Sequence, residues 1–172
     1  EMIGYNRYTN QKVHIESLFL QNEWKNKMWS FLIGARMDKH NMIDNVIFSP
    51  RANVRFNPTE DINIRASYSS GFRAPQAFDE DMHISAVGGE IAMIQRAKDL
   101  KEEKSQSLST SVDFYHRFKN GIQTNFLIEG FYTSLSDVFV LEDIGKDEQG
   151  NIIKERRNGS GAKVMGLTLE GK

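Results

Sequence analysis

The sequence predicts an all-β chain, an antiparallel meander of about seven strands built as part of a transmembrane barrel. Three observations carry that expectation. Side chains alternate with a period of two, connections alternate between tight turns and long loops, and no apolar run is long enough for a membrane helix.

The period of two is clearest in Asp61 to Gly71, where Ile62, Ile64, Ala66 and Tyr68 alternate with Asn63, Arg65, Ser67 and Ser69. A strand with one face in an apolar medium and the other in water gives this pattern; a helix would scatter the same groups around its axis. Phe48 to Phe56 repeats it, with Phe48, Ala52, Val54 and Phe56 opposed to Ser49, Arg51, Asn53 and Arg55. From Trp29 to Met37 the alternate positions hold Trp29, Phe31, Ile33, Ala35 and Met37. In Ser105 to Phe118, Leu108, Val112, Phe114 and Phe118 alternate with Ser109, Ser111, Asp113, Tyr115 and Arg117. Ile122, Phe126, Ile128 and Tyr132 alternate with Gln123, Asn125 and Glu129, although Leu127 and Phe131 blur the phase. Lys163, Met165, Leu167 and Leu169 against Gly166, Thr168 and Glu170 form a weaker strand near the end, and Gln11 to Trp24 is compatible with β structure but mixed on both faces.

Connections alternate in length. Lys25 and Asn26, Asn57 to Glu60, and Lys119 to Gly121 are tight, with Asn57, Pro58 and Asn120-Gly121 supplying turn chemistry. Asp38 to Ile47, Phe72 to Lys104, and about Leu141 to Ser160 read as long loops. Outer-membrane barrels have this asymmetry, with short periplasmic turns and long extracellular loops. In hydrocarbon only closure satisfies every backbone group of a sheet. Trp24, Trp29, Phe48, Phe56, Phe118 and Tyr132 fall near strand ends, where aromatic girdles sit.

Composition excludes several classes. Lys+Arg 22 against Asp+Glu 23 leaves a net charge of -1, so nucleic acid is not an expected partner. The chain has no cysteine, which removes disulfides, Cys-zinc sites and thiol nucleophiles. The mean hydropathy of -0.52 does not argue against a membrane, because barrel strands are half polar. The run Met28 to Ala35 is too short to span as a helix. The chain opens on Glu1 with no charged-then-apolar leader following it, and is expected to be a processed product or an excised piece.

One segment carries an identity. Ser67-Tyr68-Ser69-Ser70-Gly71-Phe72-Arg73-Ala74-Pro75 ends a strand, since Pro75 disfavours continuation at Ala74. Pro75 is suited to open a short helix covered by Phe78 to Met82, with Asp79, Glu80 and Asp81 near its positive end. Leu100-Lys101-Glu102-Glu103-Lys104-Ser105 then leads into the next strand. Together these resemble the TonB-dependent outer-membrane receptors, whose text runs aromatic-basic-Ala-Pro and then Leu-Lys-Pro-Glu-Ser; here Glu102 replaces the family's proline. Leu20-Gln21-Asn22-Glu23-Trp24, Gly34 to Asp38, Ser49-Pro50-Arg51 and Gly166 to Gly171 resemble further family landmarks in family order. The Phe78 to Ile84 loop is similar to the Bacteroidetes branch.

The resemblance implies a barrel of about 22 strands around an N-terminal plug, in the bacterial outer membrane. At roughly 25 residues per strand with its connection, such a barrel needs on the order of 540 residues. Residues 1–172 would then be part of the barrel domain, with the plug and TonB-contacting segment absent. The implied function is active uptake of a scarce nutrient such as a ferric siderophore or cobalamin, with the TonB energy-transducing complex, the small-molecule ligand and outer-membrane lipid as partners and no cofactor. The alternatives are a soluble β-sheet binding module, or a complete eight-stranded barrel that would need a further strand from Met2 to Tyr8.

Enzyme chemistry finds little support. His14, His40, His83 and His116 lie on separate segments without metal-ligand spacing, so no metal site is expected. His83 with Asp79 and Asp81 forms the one acidic-imidazole cluster, read as a solvated helix start ahead of a cation site. Gly88-Gly89-Glu90 lacks a phosphate-loop context, and Gly159-Ser160-Gly161 lacks a strand-to-helix elbow. Ligand contacts are expected in the long extracellular loop, with Arg73, Gln76, Asp79, Asp81 and His83 as candidates. Arg51, Arg55, Arg65, Asp113, Glu129 and Glu170 are expected to face the lumen, either solvating it or meeting a plug or anionic ligand.

Overall fold

The structure, a computed structural model, describes residues 2–4, 7–9, 12–75, 92–146, 148, 150 and 152–172, and of these the side chains from residue 12 onward except at 92 and 93. Its centre is a seven-stranded antiparallel sheet. In chain order the strands are β3 (Ile15–Lys25), β4 (Trp29–His40), β5 (Ile47–Thr59), β6 (Ile62–Arg73), β8 (Glu103–Arg117), β9 (Gln123–Ser136) and β12 (Ala162–Gly171). Each pairs with the next, so the meander expected from the sequence is formed. No helix occurs among the described residues.

Register sorts the side chains into two faces. On one face, cross-strand rows read Trp29, Phe56, Ile64, Val112, Ile128, Leu169 and then Asn22, Ile33, Ala52, Tyr68, Leu108, Tyr132, Met165. Trp29 stacks on Phe56 with ring centroids 4.1 Å apart, close to the tight turns. The other face carries Gln21, Arg51, Asn53, Arg55, Arg65, Ser67, Ser109, Ser111, Asp113 and Glu129.

Among the described residues no protein layer lies against the apolar face. Among the described residues only Ile43, Ile47 and Ala74 are buried apolar side chains, while Leu20 is 80%, Leu167 70% and Ile33 58% exposed. Each large apolar side chain left in water forgoes about 1.5–3 kcal/mol. A sheet so built is stable where hydrocarbon covers that face.

Several expected boundaries shift. β4 runs on to His40, β6 to Arg73 and β9 to Ser136, because their partners continue opposite them. The supposed turn Asn57 to Glu60 lies largely within β5, which absorbs Asn57 and Pro58 in a bulge between Phe56 and Thr59. The long connections are not bare loops. Residues 141–160 contain β11 (Ile152–Asn158) and most of β10 (Phe139–Lys146), and residues 72–104 contain β7 (Ala92–Arg96); these form a second sheet in the order β10-β11-β7. Asp137, at φ 54, turns the chain from β9 into β10. The strand that a complete eight-stranded barrel would need is not part of the main sheet: β1 (Met2–Gly4) pairs only with β2 (Arg7–Thr9) among the described residues. The helix expected after Pro75 lies outside the described residues.

In the intact protein in lipid, Ile33→Arg is expected to destabilise by about 2–4 kcal/mol, as a cation near the bilayer midplane does, and Asn53→Arg by well under half of that. Denaturant titration in vesicles measures both, and equal losses would contradict the face assignment. Just before β12, a Cβ on Gly161 would run into the Leu135 carbonyl oxygen, so Gly161→Val is expected to cost at least about 2 kcal/mol by the same titration.

Candidate functional site

The polar face is the first part of the site. A depression of about 430 Å³ is lined by Glu23, Ser30, Asn53, Arg55, Arg65, Ser67, Ser109, Ser111 and Glu129, reaching from β3 across to β9. A hollow shared by side chains of so many successive strands means the sheet curls with its polar face inward.

One row crosses this hollow: Lys25, Ser30, Arg55, Arg65, Ser111, Glu129, Thr168. It sets Arg55 directly opposite Arg65, an arrangement that like charge disfavours. Arg65 is compensated by Asp113, whose Oδ2 accepts from a guanidinium nitrogen at 2.6 Å. Glu23 accepts from Ser30 Oγ at 2.7 Å and lies 3.1 Å from Lys25 Nζ. Hydroxyl pairs, Ser67 with Ser109 at 2.6 Å and Ser107 with Thr133 at 2.9 Å, bind neighbouring strands along the same face. The surface is therefore cationic on β5 and β6, acidic on β9 and hydroxylic between. Phe131 also lies on it, with its ring over Gly166; a Cβ there would meet the ring at 2.5 Å, so the ring fills the space that the glycine leaves.

Toward the long loops the face is closed by a cluster the sequence did not single out. Asp38 is fully buried, and its Oδ1 accepts from Ser17 Oγ and, at 2.7 Å, from Arg36 Nε. His40 is fully buried beside it on the strand, accepting from the Met42 N–H at 3.1 Å through Nδ1. The phase could have indicated Arg36 and Asp38, which continue the polar face of Ser30; the full burial of Asp38 could not be read from it.

The second sheet braces the loop end. β11 runs parallel to β7, from Ile152 opposite Ala92 to Arg156 opposite Arg96. Asn158 donates from Nδ2 to the carbonyls of Asp137 at 2.7 Å and Lys101 at 3.1 Å, and accepts from the Lys101 N–H at 2.8 Å. Arg157 lies 2.6 Å from Glu155 and 2.8 Å from Glu142, and the Glu155 hydrogen bond first, then the charge of Glu142, raise its pKa above the ordinary arginine value.

Of the expected ligand contacts, Arg73 ends β6 with its guanidinium 5.6 Å from the centre of the Phe139 ring. Gln76, Asp79, Asp81 and His83 lie outside the described residues. Arg51, Arg55, Arg65, Asp113, Glu129 and Glu170 share the polar face. Among the described residues no three His, Asp or Glu side chains converge on a point that could hold a metal.

The family model for the β-barrel of TonB-dependent receptor-like proteins matches residues 2–172. The chain belongs to the TonB-dependent receptor barrel family. That is a family of outer-membrane receptors and transporters rather than enzymes, and it places this chain in the outer membrane of a Gram-negative bacterium. Among solved structures the barrel is similar to the siderophore receptor PirA of Pseudomonas aeruginosa, at 20% identity and a TM-score of 0.74, over 92% of this chain and 30% of that one. It is similar to the ferric enterobactin receptor PfeA at 18% identity and 0.73, over 95% and 25% of the two chains. The hemophore receptor HasR of Serratia marcescens gives 13% and 0.68, over 93% and 32%. At these identities the likeness is one of fold, and the TonB-dependent barrel here spans about a third or less of each. A comparison with curated proteins gives no match.

Asp113→Ala leaves the Arg65 guanidinium beside Arg55 with no carboxylate. With Arg65 half exposed, the expected loss is about 1–2 kcal/mol, and adding Arg65→Gln restores part of it. Denaturant midpoints of the single and double variants check this.

Proposed function

We propose that this chain is a wall segment of a TonB-dependent importer that takes up a scarce, bulky nutrient of the ferric siderophore or cobalamin type. The observation that carries the reading is the family match over residues 2–172, joined to a sheet whose polar side curls inward. In this reading a plug elsewhere in the full protein fills the lumen, and the TonB complex works on that plug. Arg51, Arg55, Arg65, Asp113, Glu129 and Glu170 face the lumen, where the hydroxyls between the charged groups give a moving polar surface many interchangeable partners.

The ligand meets the loop end. Arg73, Gln76, Asp79, Asp81 and His83 are the proposed contacts, at the end of β6 and in the segment after it. The second sheet and the Asn158 bridge hold the neighbouring connection against the start of β8. Such bracing reduces the ordering that a ligand must impose, which favours binding.

Deleting the full-length gene is expected to abolish growth on one defined source among ferric siderophores, haem and cobalamin. Arg73→Ala is expected to weaken ligand binding to the purified receptor at least fivefold. Growth of the deletion strain on every source would overturn the importer reading, and unchanged affinity would remove Arg73 from the ligand site.

A further inference from the structure

Asp38 and His40 are both fully buried, and both belong to the inward face of β4 that also carries Ser30 and Arg36. Asp38 Oδ1 accepts from Ser17 Oγ and from Arg36 Nε, while Oδ2 is buried with no partner among the described residues. His40 Nδ1 accepts from the Met42 N–H at 3.1 Å. The ring is therefore neutral with its proton on Nε2, and Nε2 is buried without a partner as well. One strand face thus holds a donor that lacks an acceptor and, two residues away, an acceptor that lacks a donor. Both are costly states. Same-face neighbours on a strand stand about 6–7 Å apart along it, a gap that a turned side chain closes. The pair does not suit a metal ion, because Nε2 offers a proton and not a lone pair.

The acceptor role of Nδ1 exists only in the neutral ring, and the chain that follows depends on it. Met42 is held at Nδ1, and the Ile43 N–H donates to the His40 carbonyl at 3.1 Å. Ile43 is one of three buried apolar residues, with Ile47 and Ala74, that form a cluster against which Phe72 packs. Phe72 and Ala74 flank Arg73 at the end of β6. One ring nitrogen is in this way connected to the end of β6 through Met42 and Ile43. The charged groups around it are Asp38 and Arg36 on β4, His14 and Glu16 at the lead into β3, and Lys39 and Asp44 on the connection. His14 and Glu16 are exposed and lie 3.2 Å from each other, and Lys39 Nζ donates to the carbonyls of Ile43 and Asp44. From β5, Ile47 opposes Asp38 and brings no charge. Glu102, which shares a hollow with Asn45 and Ile47, is paired with Lys104 at 3.0 Å.

We propose that His40 and Asp38 form a proton-operated latch on the connection 41–46. At neutral pH Nδ1 holds the Met42 N–H. Uptake of one proton from water at Nδ1 sets N–H against N–H, so that bond is lost. The imidazolium turns and donates to Asp38 Oδ2, where the carboxylate offsets the cost of a buried cation. Met42 is released, and with it the tether that keeps Ile43 against Ala74. The latch opens as pH falls and closes as it rises. It needs no assumption about the imported nutrient; only its consequence for Arg73 rests on the proposal that ligand meets the loop end.

The test uses the full-length receptor on a cysteine-free background, with a nitroxide on Asn45→Cys, in lipid vesicles. Between about pH 8 and about pH 4.5, the span in which histidine titrates, the mobile fraction of the label is expected to rise at least about threefold in a single reversible step. His40→Asn keeps an oxygen acceptor for the Met42 N–H and cannot take up the proton, so it is expected to remove the step. Asp38→Asn keeps the acceptor for Ser17 and Arg36 but not the negative charge, and is expected to move the step to lower pH. His14→Gln is expected to leave it in place, which separates the latch from the exposed histidine nearby. Heat-modifiable migration on gels confirms a folded barrel in each variant. A wild type without the step, a step that survives His40→Asn, or a midpoint unmoved by Asp38→Asn overturns the latch. Each of these results leaves the importer reading, which the growth assay tests, where it stands.

Discussion

A single sheet must satisfy its backbone sideways and its side chains face by face, and here the two requirements have different solutions. Ladder hydrogen bonds join the strands from β3 to β12. Among the described residues no second layer of protein buries the apolar rows from Leu18 and Leu20 to Met165 and Leu167. A lipid phase is the environment in which both conditions hold, since water would leave that face bare and hydrocarbon tolerates no unpaired backbone. The short turns, the long strands and the inward curl of the polar face are consistent consequences of that constraint.

The polar face follows from the same geometry. Its cross-strand contacts include hydroxyl pairs, hydroxyl–carboxylate bonds such as Ser30 to Glu23, and the charge pair of Arg65 with Asp113. Setting Arg55 opposite Arg65 gives up local stability for a cationic strip on the polar face. The loop end is organised differently, by backbone pairing between distant connections and by side-chain amide bridges such as that of Asn158.

The legibility of this architecture in the sequence varied with its physical cause. β4, β5 and β6 were readable because each strand has one wet and one apolar face, which imposes a strict period of two. The segments of β7, β10 and β11 read as loops, because they lie beyond the membrane wall and their partners are one another: β7 gains its place from β11, some sixty residues away in the chain. The phase confusion at Leu127 and Phe131 has a local cause, at least for Phe131, which covers Gly166 on the polar side. The polar-face residues Arg51, Arg55, Arg65, Asp113 and Glu129 were found by phase alone. The full burial of Asp38 and His40 was not recognised, since no pattern along the strand encodes it. Of the loop candidates, Arg73 falls on a described strand, and Gln76, Asp79, Asp81 and His83 lie outside the described residues.

The most direct measurement is made on a cysteine-free background of the full-length protein, to which residues 1–172 contribute no cysteine. Single cysteines placed at each position from 48 to 56 of the full-length protein, spin-labelled and reconstituted in lipid vesicles, report accessibility to oxygen dissolved in the bilayer. The account predicts maxima at 48, 52, 54 and 56 and minima at 49, 51, 53 and 55. A flat profile, or one with the opposite phase, would contradict the claim that lipid covers the apolar face of this sheet.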